Sequence, residues 1–195
     1  MKILLLSDVE SKYIWDHFDR EKFKDIDLVI SCGDLKAQYL SFVVTMIKAP
    51  LFYVHGNHDV EYITNPPEGC ECIDDKLVIY KGIRIVGLGG SKYYNSDIFQ
   101  YTELQMEMRI AKLKPRIWWN KGFDILVTHA PAYSLGDGQD LCHKGFKAFN
   151  RLLDKYQPKY FFHGHVHLNY SNMQRIIKYK NTTIINAYNY YIVEY

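Results

Sequence analysis

The sequence predicts an α/β fold, a four-layer α-β-β-α sandwich of two mixed sheets flanked by helices. Two observations predict it. Short apolar runs alternate with helical segments through most of the 195 residues, with hairpin-like runs added in the middle and in the tail. Five of the apolar runs also stop at Asp, His or Asn. Residues 3–6 run into Ser7-Asp8-Val9-Glu10, 28–30 into Ser31-Cys32-Gly33-Asp34, and 51–54 into His55-Gly56-Asn57-His58-Asp59. Residues 125–127 run into Thr128-His129, and 160–162 into His163-Gly164-His165-Val166-His167. In an open sheet, residues just past the strand ends gather along one edge, where ligands bind.

The first strand, 3–6, is followed by a short helix over 11–18 with Ser11 as its N-cap. Its lone His17 reads as a surface residue. A second strand over 28–31 leads to a helix over 35–47 that stops before Pro50. With the strand at 51–54 this makes a βαβ unit, so the first three strands should be parallel, with a right-handed crossover. Residues 61–75 carry Pro66, Pro67 and Gly69 with little periodicity and read as a surface loop. Residues 77–80 and 83–88, separated by Lys81-Gly82, read as a hairpin leading into the loop 89–95. In that loop Lys92 could meet a phosphate, and Tyr93 or Tyr94 could stack on a ring.

Thr102-Glu103-Leu104-Gln105 is a capping box opening a helix through Leu113, which Pro115 should end or kink. The strand at 125–127 runs through the His129 loop to His143-Lys144-Gly145. A helix over 146–156, a strand over 159–162 and short antiparallel strands over 175–179, 183–186 and 191–194 complete the chain. We expect one domain over 1–195, large enough to bury a real core.

The net charge of +2 is too small to draw in a nucleic acid or a membrane by bulk attraction, so neither is expected as a partner. The four cysteines, Cys32, Cys70, Cys72 and Cys142, have neither paired zinc spacing nor a disulfide framework, and read as cytosolic thiols. No apolar run reaches the roughly 20 residues of a membrane span, and Met1 leads straight into a strand. A cytoplasmic location is expected.

Gly-Asn-His-Asp alone is an ordinary turn composition. Its company changes that reading. His165 and His167, two apart on an extended segment, point to the same side, with Gly164 leaving room for the backbone to approach. Carboxylate, imidazole and amide donors together suit Mn²⁺, Fe²⁺ or Zn²⁺ and argue against a thiolate site.

Gly33-Asp34, Gly56-Asn57-His58-Asp59, the lone His129 after a strand, and Gly164-His165-Val166-His167 follow the motif order of the calcineurin-type metallophosphoesterases. The chain resembles that family from Ile3 to about Ile192. The departure is Asp8-Val9-Glu10, where a glutamate stands in place of the family's first histidine. The resemblance implies two divalent metals sharing Asp34, one also held by Asp8, Glu10 and His167, the other by Asn57, His129 and His165. Manganese is the expected metal, with iron or zinc as the other candidates. The implied reaction is hydrolysis of a small phosphodiester or phosphomonoester by a metal-bridging hydroxide, His58 assisting the leaving group and Asp59 orienting His58.

Glu10 reaches about as far from its Cβ as the far nitrogen of an imidazole, so it is expected to take that coordination position; otherwise it turns away and the first metal is weakly bound. Small, uncapped family members have a similar loop ending in His-x-Gly. That makes His143 a substrate-contact candidate beside Lys92 and Tyr93, with Asp137 or Asp140 behind it. His55 and His163 read as supporting or core histidines. Two other functions stay open: a non-catalytic protein-binding scaffold, which the glutamate at position 10 keeps alive, and a nuclease, against which the near-neutral charge counts. The oligomeric state is not legible.

Overall fold

The computed structural model describes residues 1–95, 97–168 and 174–195. β1 (Lys2–Ser7), β2 (Leu28–Ser31) and β3 (Leu51–Tyr53) are parallel neighbours, with Ile3 opposite Leu28 and Val29 opposite Leu51. β4 (Glu71–Cys72) continues this sheet beside β3, and β13 (Asn189–Glu194) pairs antiparallel with β1, from Lys2 opposite Glu194 to Ser7 opposite Asn189. The second sheet comprises β5 (Lys76–Tyr80), β6 (Ile83–Leu88), β9 (Ile125–Thr128), β10 (Tyr160–His163), β11 (Ile176–Tyr179) and β12 (Thr182–Asn186). Its order is β11-β12-β10-β9-β6-β5. β7 (Ser91–Lys92) and β8 (Gln100–Tyr101) form a separate parallel pair.

The unbroken apolar runs are explained by burial on both faces of each sheet, which removes the polar alternation of a half-exposed strand. Ile3 and Leu5 face inward to meet Ile125, Val127 and Phe162 of the other sheet. Leu4 and Leu6 point outward, against α1 (Lys12–Trp15), α2 (Arg20–Phe23) and α3 (Ala37–Ile47). On the far side, Leu126, Phe161 and Ile184 pack under α4 (Glu103–Trp119) and α5 (Lys147–Tyr156). Each such side chain contributes roughly 1.5–3 kcal/mol on burial. The fully buried strands therefore hold their loops in fixed positions.

Four expectations need correction. The helix expected over 11–18 shortens to α1; the Ser11 side chain makes no capping bond, and its backbone N–H donates instead to the Tyr39 hydroxyl at 3.3 Å. The helix expected from residue 35 starts at Ala37. The segment 61–75 is more than a loop, because a 3-10 turn over Asp59–Ile63 and the strand β4 order it.

Pro115 does not break α4, which continues to Trp119. Proline removes one intrahelical bond, to the carbonyl four residues back. That carbonyl belongs to Ala111, on the solvent-exposed face, where water can take it, while buried Ile110, Leu113 and Ile117 carry the packing past the break. Among the described residues no helix is long and apolar enough to cross a membrane.

Candidate metal centre

The site forms where β1, β2 and β3 of one sheet and β9 and β10 of the other release their chains. Three of the residues that follow these strands, Asp8 (φ 64), Asp34 (φ 57) and His165 (φ 66), lie in the left-handed backbone region. Such conformations cost of order 1 kcal/mol or more per residue and persist only where packing imposes them. Two glycines make the close approaches possible. A Cβ on Gly56 would lie 1.9 Å from Asp34 Oδ1, and one on Gly164 would lie 1.8 Å from Ser7 Oγ.

At the centre stands His129, fully buried. Its Nδ1 lies 2.7 Å from the Cys32 carbonyl oxygen, which can only accept, so Nδ1 carries the proton. In the neutral ring Nε2 is then a bare lone pair, facing Asn57 Oδ1 at 3.0 Å and Asp34 Oδ2 at 3.3 Å. His165 repeats the pattern. Its Nε2 donates to the Cys142 carbonyl at 2.7 Å, leaving Nδ1 bare. Donor atoms of Asp34, His129 and His165 lie within 4.8 Å of one another.

Several lone pairs thus converge with no hydrogen between them, an arrangement that only a cation or an added proton relieves. Burial would push the His129 pKa down, but the Asp34 carboxylate holds it up to about 9. His165 is held down to about 3 by its burial and by the charge on His129. Burial would raise the Asp34 pKa, yet His129 and the His58 N–H keep it well below the usual carboxylate range. The oxygen and nitrogen donor set, without sulfur, fits a borderline to hard divalent metal.

The Asp8 carboxylate is almost completely buried; it accepts the His165 backbone N–H at 3.0 Å and lies 3.9 Å from His167 Nε2. Burial pushes its pKa up, against the pull of His129. The His167 ring also packs on Tyr188, with centroids 4.9 Å apart. Glu10, the departure in the first motif, is paired with Lys36 at 3.4 Å.

His58 is exposed at the mouth of the site, its backbone N–H anchored to Asp34 Oδ1 at 2.8 Å. Beside it opens a cavity of about 150 Å³ lined by Asp34, Lys36, His58 and Glu61, among others. Asp59 serves the backbone: its Oδ2 accepts from the N–H groups of Gly56 at 2.7 Å and Asp34 at 2.9 Å. Burial and the neighbouring Asp34 raise its pKa to about 6.

The substrate candidates divide. The His143 ring lies 5.0 Å from that of His165, at the rim. Lys92 faces Glu103 at 3.9 Å, and the Tyr93 side chain is exposed. Asp137 accepts the Gly145 N–H within its own loop.

Tyr94, not Tyr93, reaches the centre: its hydroxyl accepts from Asn57 Nδ2 at 3.1 Å, which turns Asn57 Oδ1 toward His129. Tyr94 stood out in sequence only as one of two adjacent aromatics. The Cys32 and Cys142 carbonyls, which set both imidazoles, carry no side-chain signal at all. His55 lies outside the centre, bonded to Asp74 at 2.5 Å and stacked on Phe99, and His163 is buried against the Gly164 carbonyl.

No curated protein sequence matches the chain. One solved structure superposes with a TM-score of 0.71 at 15% identity, over 98% of this chain and 94% of its own. TT1561 of Thermus thermophilus gives a TM-score of 0.67 at 14% identity, over 96% of this chain and 89% of its own. GAP50 of Plasmodium, the anchor in the inner membrane complex, gives 0.56 at 15% identity, over 95% of this chain and 70% of its own. At these identities the likeness is one of fold. The family model for calcineurin-like phosphoesterases matches residues 1–169, and the chain belongs to that family.

Proposed function

We propose that the protein hydrolyses a small phosphodiester or phosphomonoester, using two divalent metals held by Asp34 in common. Asp8, Glu10 and His167 complete the first position, and Asn57, His129 and His165 the second. The observation that carries this reading is the convergence of His129 Nε2 with both Asn57 Oδ1 and Asp34 Oδ2. When bound, the metals supply Lewis-acid polarisation of the phosphoryl group and an acidified water. Manganese suits the carboxylate-rich first position better than zinc.

The remaining chemistry belongs to the chain. The His58 N–H bond to Asp34 fixes the His58 backbone beside the shared carboxylate, so its ring can deliver a proton to the departing oxygen. Asp59 holds the loops after β2 and β3 at the separation this needs. Tyr94 fixes the face that Asn57 presents. His143, with Lys92 and Tyr93 further out, borders the space left for the ester.

The test is hydrolysis of bis-p-nitrophenyl phosphate and p-nitrophenyl phosphate by metal-stripped protein reconstituted with Mn²⁺. Turnover that requires the metal is expected, and the preferred ester separates diesterase from monoesterase. Two bound metals with no turnover of either ester would instead favour a protein-binding scaffold.

A further inference from the structure

We infer that Asp140, Cys142 and His143 form an additional cation site at the rim, one that takes a thiophilic divalent cation such as Zn²⁺ or Cd²⁺ and fixes the turn supporting His165. The three donors come from one four-residue turn. Cys142 Sγ lies 2.9 Å from Asp140 Oδ1 and 3.3 Å from His143 Nδ1, and that nitrogen lies 2.9 Å from both Asp140 oxygens. Bonds from the Gly138 N–H to the His143 carbonyl and from the His143 N–H to Asp140 Oδ1 hold the turn in this shape.

Zinc bonds of about 2.0 Å to nitrogen or oxygen and 2.3 Å to sulfur set the tetrahedral donor atoms of such a set roughly 3.3–3.5 Å apart. These donors therefore need to open by only about half an ångström. Asp140 and His143 are partly exposed, which gives a cation an entry path and leaves a coordination position for water. Binding is an exchange: the cation gains Sγ, a carboxylate oxygen and Nδ1, the thiol proton leaves to solvent, and the imidazole proton that Nδ1 directs at Asp140 is exchanged through solvent to Nε2.

The place of the turn gives the site its consequence. The Cys142 carbonyl accepts the His165 Nε2–H at 2.7 Å, and the His143 ring lies against that of His165. A cation here ties down the carbonyl that sets the free nitrogen of His165.

A second mixed cluster, His55, Cys72 and Asp74, is explained without a cation. Asp74 is already satisfied by the His55 ring, the His55 and Gly89 N–H groups and nearby Arg109. The rim site does not rest on the phosphoesterase reading, since the centre proposed there contains no sulfur.

The experiment is a Co²⁺ titration of the metal-stripped full chain, following the near-ultraviolet thiolate-to-cobalt charge-transfer band. Only a sulfur-containing site produces that band, so an empty catalytic centre leaves it untouched. The band should appear, vanish in Cys142→Ser with one cobalt fewer per chain, and survive in Cys72→Ser. Asp140→Asn, which keeps an oxygen to accept the His143 N–H but loses the carboxylate charge, should weaken the cobalt responsible by at least about tenfold. Absence of the band from the wild-type chain, its survival in Cys142→Ser, or unchanged affinity in Asp140→Asn would overturn the inference.

Discussion

The Asp34 backbone N–H donates to the Asp59 carboxylate at 2.9 Å, and this bond joins the end of β2 to the loop after β3. The same oxygen accepts from Gly56. Asp59→Ala leaves two N–H groups without an acceptor and should cost roughly 2–4 kcal/mol in urea unfolding. Asp59→Asn keeps one oxygen to receive them and should cost clearly less. Equal losses in the two variants would rule out an acceptor role for Asp59.

His58 contributes no donor atom to the convergent cluster, and its side chain is exposed. His58→Ala should therefore retain metal, measured by elemental analysis, while turnover falls on the order of 10²–10⁴. Loss of metal in this variant would move His58 from proton donor to ligand.

Lys36 competes with the first metal position for Glu10. Lys36→Ala should raise Mn²⁺ affinity several-fold, and Glu10→Ala should lower it, both read by calorimetric titration. Unchanged metal content in Glu10→Ala would take Glu10 out of the ligand set.

Burial alone would lower the His55 pKa, but its bond to Asp74, with Cys72 alongside, holds it up to about 10. An imidazole whose folded-state pKa is raised gives stability that is complete below its unfolded value of about 6.5 and is lost as pH rises through 10. Denaturation midpoints measured from pH 7 to 11 should fall in the wild type and flatten in Asp74→Asn. Parallel pH profiles for the two proteins would contradict the assignment.

The gathering of the strand ends at one site was legible because five apolar runs end abruptly in Asp, His or Asn. Gly164 was legible as the residue that leaves the backbone room to approach, and a Cβ there would collide with Ser7; the equally tight fit of Gly56 against Asp34 was not. Other features lay beyond a linear reading. β4 is two residues long and exists only because β3 offers it an edge. Pro115 is tolerated through packing on the opposite face of α4. The choice of Tyr94 over Tyr93 depends on how the loop after β7 folds back over Asn57. The carbonyls that orient His129 and His165 belong to the backbone, which every residue carries alike.

The antiparallel ladder between β1 and β13 bears on how the protein opens. β1 is flanked on one side by β13 and on the other by β2, and it leads directly into Asp8. Both edges of β1 are thus hydrogen-bonded along its length. The amide hydrogens of β1 should therefore exchange with solvent among the slowest in the molecule, through global opening rather than local breathing. The approach to Asp8 is thereby anchored from two sides at once.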